Sequence, residues 1–190
     1  MKLALLIAVA AMGLSVAAAE TRLTPGAPMP ALKGDDLAGL SVTLPDAARG
    51  RVALVAFGFS YASRTPVEEW TAHLRQGWAA DARVTWYQLP MIGGFGRLAK
   101  PFITGGMKKD TPEQYRGNAV VVFGGVGPWK ERLAVRDDKL AYLVLIDTAG
   151  VVRWMHAGAF DAGKAAELDA QVRQLLDPPQ GINARWFQKY

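Results

Sequence analysis

The sequence predicts an α/β domain with a central mixed sheet flanked by helices, on three observations. Val52–Phe57 is a continuous apolar run with no polar alternation, the pattern of a strand covered on both faces. A helical repeat and a second strand at Val84–Met91 follow it, and strand–helix–strand implies parallel pairing. Farther on, Tyr142–Ile146, the turn Asp147–Gly150 and Val151–Met155 imply an antiparallel hairpin.

Each segment has its own signal. Lys2, the uncharged Leu3–Leu14 stretch and Ala17-Ala18-Ala19 before Glu20 predict a secretory signal over residues 1–19. The apolar run is shorter than the ~20 residues a membrane-spanning helix needs. Residues 20–50, rich in Gly, Pro and Asp, read as an extended lead-in with one short hairpin. The main domain is expected over 51–177. After the first strand, Gly58–Arg64 reads as a loop and Thr65-Pro66 as a helix start, with Thr65 as N-cap. Val67, Trp70, Leu74 and Trp78 then recur at helical spacing. An irregular insertion is expected at about 92–127, with a short helix at Thr111–Arg116 and a buried strand at Ala119–Phe123. Pro128–Val135 reads as helical. Ala162–Leu176 is an amphipathic helix with Ala166, Leu168, Val172, Leu175 and Leu176 on its apolar side, stopped by Pro178-Pro179. The tail, 178–190, has no periodicity, although Trp186 and Phe187 can dock on the surface.

Composition narrows the chemistry. Without Lys2, 21 basic against 17 acidic side chains leave a charge of +4, a mild excess suited to an acidic partner or an anionic membrane surface. The chain has no cysteine. Every mechanism that needs Cys as nucleophile, redox centre or metal ligand is thereby excluded.

Two segments carry a resemblance. Phe57-Gly58-Phe59-Ser60-Tyr61-Ala62-Ser63-Arg64-Thr65 resembles the redox turn of bacterial thiol:disulfide interchange proteins, with Ala62 and Thr65 in the two cysteine positions. Ala141–Gly150 resembles the same family's Leu-Ile-Asp strand and turn, with Ala141 in place of the proline facing the cysteines. The element order is that of the thioredoxin fold. Tyr142–Asp147, Gly150-Val151-Val152-Arg153-Trp154 and Gly158 also resemble the mitochondrial ATP synthase assembly factor (ATPase-ten) family, a thioredoxin-like branch, over most of residues 50–176. That resemblance implies a chaperone-like role in assembling the synthase's membrane sector. A signal peptide in place of a mitochondrial presequence points to a periplasmic, bacterial relative.

The remaining constellations are weaker. Gly58-Phe59-Ser60-Tyr61-Ala62 is close to a nucleophile elbow, and Ser60, Asp147 and His156 follow the hydrolase order, but the fifth residue is Ala62 and no oxyanion motif is visible. His73 and His156 are the only histidines and neither has a ligand at metal-binding spacing, so no metal and no cofactor is expected. Gly124–Lys130 lacks the endings of phosphate-binding loops and reads as a turn. Arg97, Lys100, Lys108 and Lys109, interleaved with Phe95, Phe102 and Ile103, make the insertion a candidate docking surface for acidic loops or lipid headgroups.

The expected function is that of a non-catalytic, exported binding or assembly factor for a membrane complex. Its partner is expected to be a protein, with a membrane surface admitted and nucleic acid excluded. The contact residues are taken to be Ser60, Tyr61, Arg64, Arg97, Lys100, Arg153 and Trp154. The alternatives are an enzyme with a non-thiol group in the same groove, such as Ser60 with His156, and a small-ligand binder.

Overall fold

The computed structural model describes residues 22–94 and 98–178. The signal segment, Phe95, Arg97, Trp186 and Phe187 lie outside the described residues. The elements run β1 (Leu32–Asp36), β2 (Ser41–Leu44), β3 (Val52–Gly58), α1 (Arg64–Trp78), β4 (Val84–Ile92), α2 (Lys100–Asp110), β5 (Val120–Phe123), α3 (Val126–Arg132), β6 (Ala141–Ile146), β7 (Val152–Gly158) and α4 (Ala162–Leu176). Seven strands form one mixed sheet in the order β2-β1-β5-β4-β3-β6-β7. β3 pairs in parallel with β4 and antiparallel with β6, and β6 with β7 makes the expected hairpin.

The two apolar runs lie at the centre because each fills both faces. Val52, Leu54 and Ala56 point towards α1 and α4, where Trp70, Leu74, Leu168 and Val172 are buried with them. Ala53, Val55 and Phe57 point the other way, against Trp129 of α3 and the lead-in residues Leu23 and Met29. Strand period two divides one run between two cores, and each large aliphatic residue so buried contributes about 1.5–3 kcal/mol. The lead-in is stitched to this second face: the Met29 N–H donates to the Gly150 carbonyl at 2.9 Å, and the Leu23 N–H to the Arg132 carbonyl at 2.9 Å.

Several local expectations shift. The short hairpin in 20–50 exists as β1–β2, and β1 pairs antiparallel with β5 and so extends the main sheet. Helix α1 starts at Arg64, so its N-cap is Ser63 and Thr65 does not cap it. Much of the irregular stretch after Leu98 is helix α2, despite Gly105-Gly106 at its centre, which cost a helix about 1 kcal/mol each. Ion pairs hold both ends, Lys100 with Asp35 and Arg64 with Asp110. Met107 of α2 also packs on Leu37, Ala119 and Val121. The short helix expected at 111–116 is a 3-10 segment, Glu113–Asn118. Helix α3 starts two residues before Pro128 and ends at Arg132, because Ala134 takes a left-handed φ of 51° and breaks it. On α4 the buried alanine is Ala165, and Ala166 is exposed.

Candidate functional site

Strand β3 delivers its last residues to a turn that is braced from within. Ser60 is extended, and its Oγ accepts the Ser63 N–H at 3.3 Å. In return Ser63 Oγ donates to the Ser60 carbonyl at 2.7 Å and accepts the Ser60 N–H at 3.3 Å. This reciprocal box leaves the buried Ser63 satisfied and fixes the entry into α1. Gly58 permits it, since a Cβ there would stand 2.7 Å from Ser63 Oγ.

A second brace ties the turn to the loop before β6. Ser60 Oγ donates to the Asp138 carbonyl at 2.8 Å. The loop is rigid in its own right: the Tyr142 hydroxyl accepts the N–H groups of Arg136 and Asp137 and donates to the Asp137 carbonyl. Lys130 adds an ion pair to Asp138 at 2.6 Å. Ala141 is buried and lies in register with Gly58. Of the other two positions aligned with a redox turn, Ala62 and Thr65 are exposed on the surface and neither carries a thiol. Tyr61 stands 87% exposed beside them.

Behind the turn, α1, β4 and α2 enclose a cleft of about 660 Å³. Each wall follows the period of its element. Helix α1 presents Arg64, Val67, Glu68 and Arg75 from one stripe, and β4 presents the alternate residues Trp86, Gln88, Pro90 and Ile92. The α2 wall is Ile103, Gly106, Met107 and Asp110, with Phe102 at the rim, 85% exposed. The lining is mainly apolar with a few polar groups, in the size range of ligand sites, about 300–1,000 Å³. At the turn end Arg64 and Asp110 pair at 3.1 Å, and that hydrogen bond raises the Arg64 pKa further. At the far end the Arg75 guanidinium lies 4.3 Å from the Tyr115 ring centre and 5.6 Å from that of Trp86.

The expected contact residues divide accordingly. Ser60, Tyr61 and Arg64 gather at the mouth of the cleft, while Lys100 is committed to Asp35 and to the face of Phe123. Arg97 lies outside the described residues. Arg153 and Trp154 are not brought to this site, because they lie at the start of β7 beside the hairpin turn, and only its far end, Gly158, reaches Ala141. Arg153 there pairs with Asp147 at 2.6 Å, and Trp154 packs 6.4 Å from Trp70. Burial works against the Asp147 carboxylate. The Val151 N–H, Arg153 and the Ala149 N–H outweigh it and hold its pKa below the ordinary value. Neither histidine is hydrogen-bonded to Ser60. His73 meets Asp169 at 3.1 Å, and His156 sits between Trp70 and Trp154. Among the described residues no group of three or more His, Cys, Asp or Glu is arranged to hold a metal ion.

Sequence reasoning missed Asp138 and Arg75. Asp138 acts through a backbone carbonyl, 78 residues from Ser60, and leaves no side-chain signature. Arg75 had one: it falls on the stripe of α1 shared by Arg64, Val67 and Thr71.

No protein-family model and no curated protein matches the chain. Solved structures do. The thiol:disulfide interchange protein DsbE of Chlorobium tepidum, described as putative, superposes with a TM-score of 0.56 at 19% identity, over 81% of this chain and 99% of that one. BsSco, a member of the Sco family of cytochrome c oxidase assembly proteins, gives 0.59 at 13% identity, over 83% and 99%. The exposed lipoprotein thioredoxin Etrx1 of Streptococcus pneumoniae gives 0.52 at 18%, over 75% and 98%. With the strand order and the braced turn after β3, these likenesses establish that the chain has a thioredoxin-like fold.

Proposed function

We propose that the protein is an exported, non-catalytic binding factor that holds a client protein on the face around its redox-type turn, as an assembly factor for a membrane complex. One observation carries this reading. The turn keeps its braces, while its surface offers the exposed rings of Tyr61 and Phe102 at the mouth of an apolar cleft. Large exposed aromatic groups beside a pocket are typical anchors of protein interfaces. Lys108 and Lys109, exposed on α2, add positive charge and favour a client with acidic loops. The sequence likeness to the ATP synthase assembly factor family, and the assembly role of the Sco family named above, agree with that direction. The N-terminal signal motif supports export.

A photo-crosslinking residue at Tyr61, with Arg153 as the control at the other end of the sheet, tests the proposal in cells. The expected result is a discrete adduct to a membrane protein from Tyr61 alone. No adduct, or the same adducts from both positions, overturns it.

The hydrolase alternative finds no support in the geometry. A nucleophilic serine needs its hydroxyl bonded to a base, and here the Ser60 hydroxyl donates to a backbone carbonyl. Labelling of Ser60 by a fluorophosphonate probe would reverse that conclusion.

A further inference from the structure

Of the two arginines that line the cleft, Arg64 is paired with Asp110 and Arg75 has no ion pair among the described residues. Its side chain is half-buried, with the guanidinium carbon 4.3 Å from the Tyr115 ring centre and 5.6 Å from that of Trp86. Among the described residues its side chain forms no ion pair and donates no hydrogen bond; its two cation–π contacts are with Tyr115 and Trp86. Its N–H donors therefore have no acceptor among the described residues, and a guanidinium fork takes a carboxylate bidentately. The other charges of the cleft gather at the opposite end. Arg64 is neutralised by Asp110, and Glu68 makes that end unfavourable to an anion.

We infer that the cleft binds a small amphiphilic carboxylate, its acid group on Arg75 and its apolar chain running towards the turn. The apolar path fits this orientation. Val67, Ile92, Ile103 and Met107 line the cleft, and Gly106 leaves the α2 wall without a side chain. The eleven residue steps from Arg64 to Arg75 span about 16 Å of helix, comparable to an extended dodecanoate. The site would remain, as an acid-binding site, even if the client-binding reading failed, because it uses the interior of the cleft and not the exposed rings.

Calorimetric titration of the purified protein with dodecanoate, dodecanol and dodecyltrimethylammonium, each below its micelle concentration, tests the inference. Dodecanoate is expected to bind at least about tenfold more tightly than the other two. Arg75→Met, which keeps an unbranched stem, should remove that preference and leave dodecanol unchanged. Arg75→Lys should retain part of it. Gly106→Phe, placed where a side chain meets open space, should block all three ligands while circular dichroism shows the fold intact. Equal affinity for acid and alcohol, an unchanged preference in Arg75→Met, or no binding of dodecanoate overturns the inference. In the last case a crosslinked client at Tyr61 would assign the cleft to a protein segment instead.

Discussion

Gly58→Ala isolates the contact on which the turn depends. Gly58 ends β3 in register with Pro90 on one side and Ala141 on the other, so its backbone has little room to move. The new Cβ would lie 2.7 Å from Ser63 Oγ and 3.4 Å from Val67 Cγ2. Even a C–H···O contact keeps about 3.3 Å, so the overlap with the hydroxyl is roughly half an ångström. Ser63 is only 1% exposed and its hydroxyl is bonded to the Ser60 carbonyl. Either that bond breaks and leaves the buried hydroxyl unsatisfied, at about 1–3 kcal/mol, or the turn shifts, at about 1–3 kcal/mol for overpacking. The stiffer unfolded chain returns about 0.4–1 kcal/mol, leaving a net loss of about 1–2 kcal/mol. In urea unfolding followed by tryptophan fluorescence, that lowers the midpoint by about 0.5–1 M for a slope near 2 kcal/mol/M. Ser63→Ala alone costs about 1 kcal/mol through its lost hydrogen bonds. In the double variant the added Cβ meets Ser63 Cβ at 3.7 Å, an ordinary contact. The double variant should therefore be about as stable as Ser63→Ala alone, a coupling of about 1 kcal/mol or more. Additive losses, or a single Gly58→Ala indistinguishable from the parent, would refute the steric reasoning.

Three further outcomes follow from other elements. Leu74→Ala, at a fully buried position between α1 and the sheet, should cost about 2–5 kcal/mol in the same urea assay. Asp161 caps α4 by accepting the Lys164 N–H at 2.8 Å, so Asp161→Ala should lose about 0.5–2 kcal/mol, seen as faster amide hydrogen exchange in the first turn of α4. Burial, then the charge of Lys164, lowers the His156 pKa against the opposing pull of Asp161 and Glu167. The unfolded chain therefore takes up a proton near pH ~6.5 that the folded ring refuses. Its contribution to stability is complete above that pH and declines as the pH falls from about 7 towards 5. His156→Phe should flatten the thermal midpoint over this window, and an unchanged pH profile would contradict the assignment.

The central fold was legible because its signals are local. Val52–Phe57 and Tyr142–Ile146 are apolar along their whole length, and such runs have few alternatives to a doubly covered strand. Helix α1 announced itself by Val67, Trp70 and Leu74, and the β6–β7 hairpin by the Asp147–Gly150 turn. The start of α1 was misplaced by two residues because Thr65-Pro66 looks like a cap and first position. The reciprocal hydrogen bonds of Ser60 and Ser63 set the entry earlier. Helix α2 was hidden because its sequence, with two central glycines, has little helical preference of its own.

By itself, then, the sequence determined the doubly covered strands, the amphipathic helices and the absence of thiol chemistry, since these depend on residue type and on periods of a few residues. The tertiary structure decided that β1 joins β5, that Ser60 is bonded to Asp138, that α2 closes a cleft, and that Arg75 faces into it without a carboxylate. Those features arise from pairings between residues tens of positions apart, and chain distance erases any local pattern that would mark them.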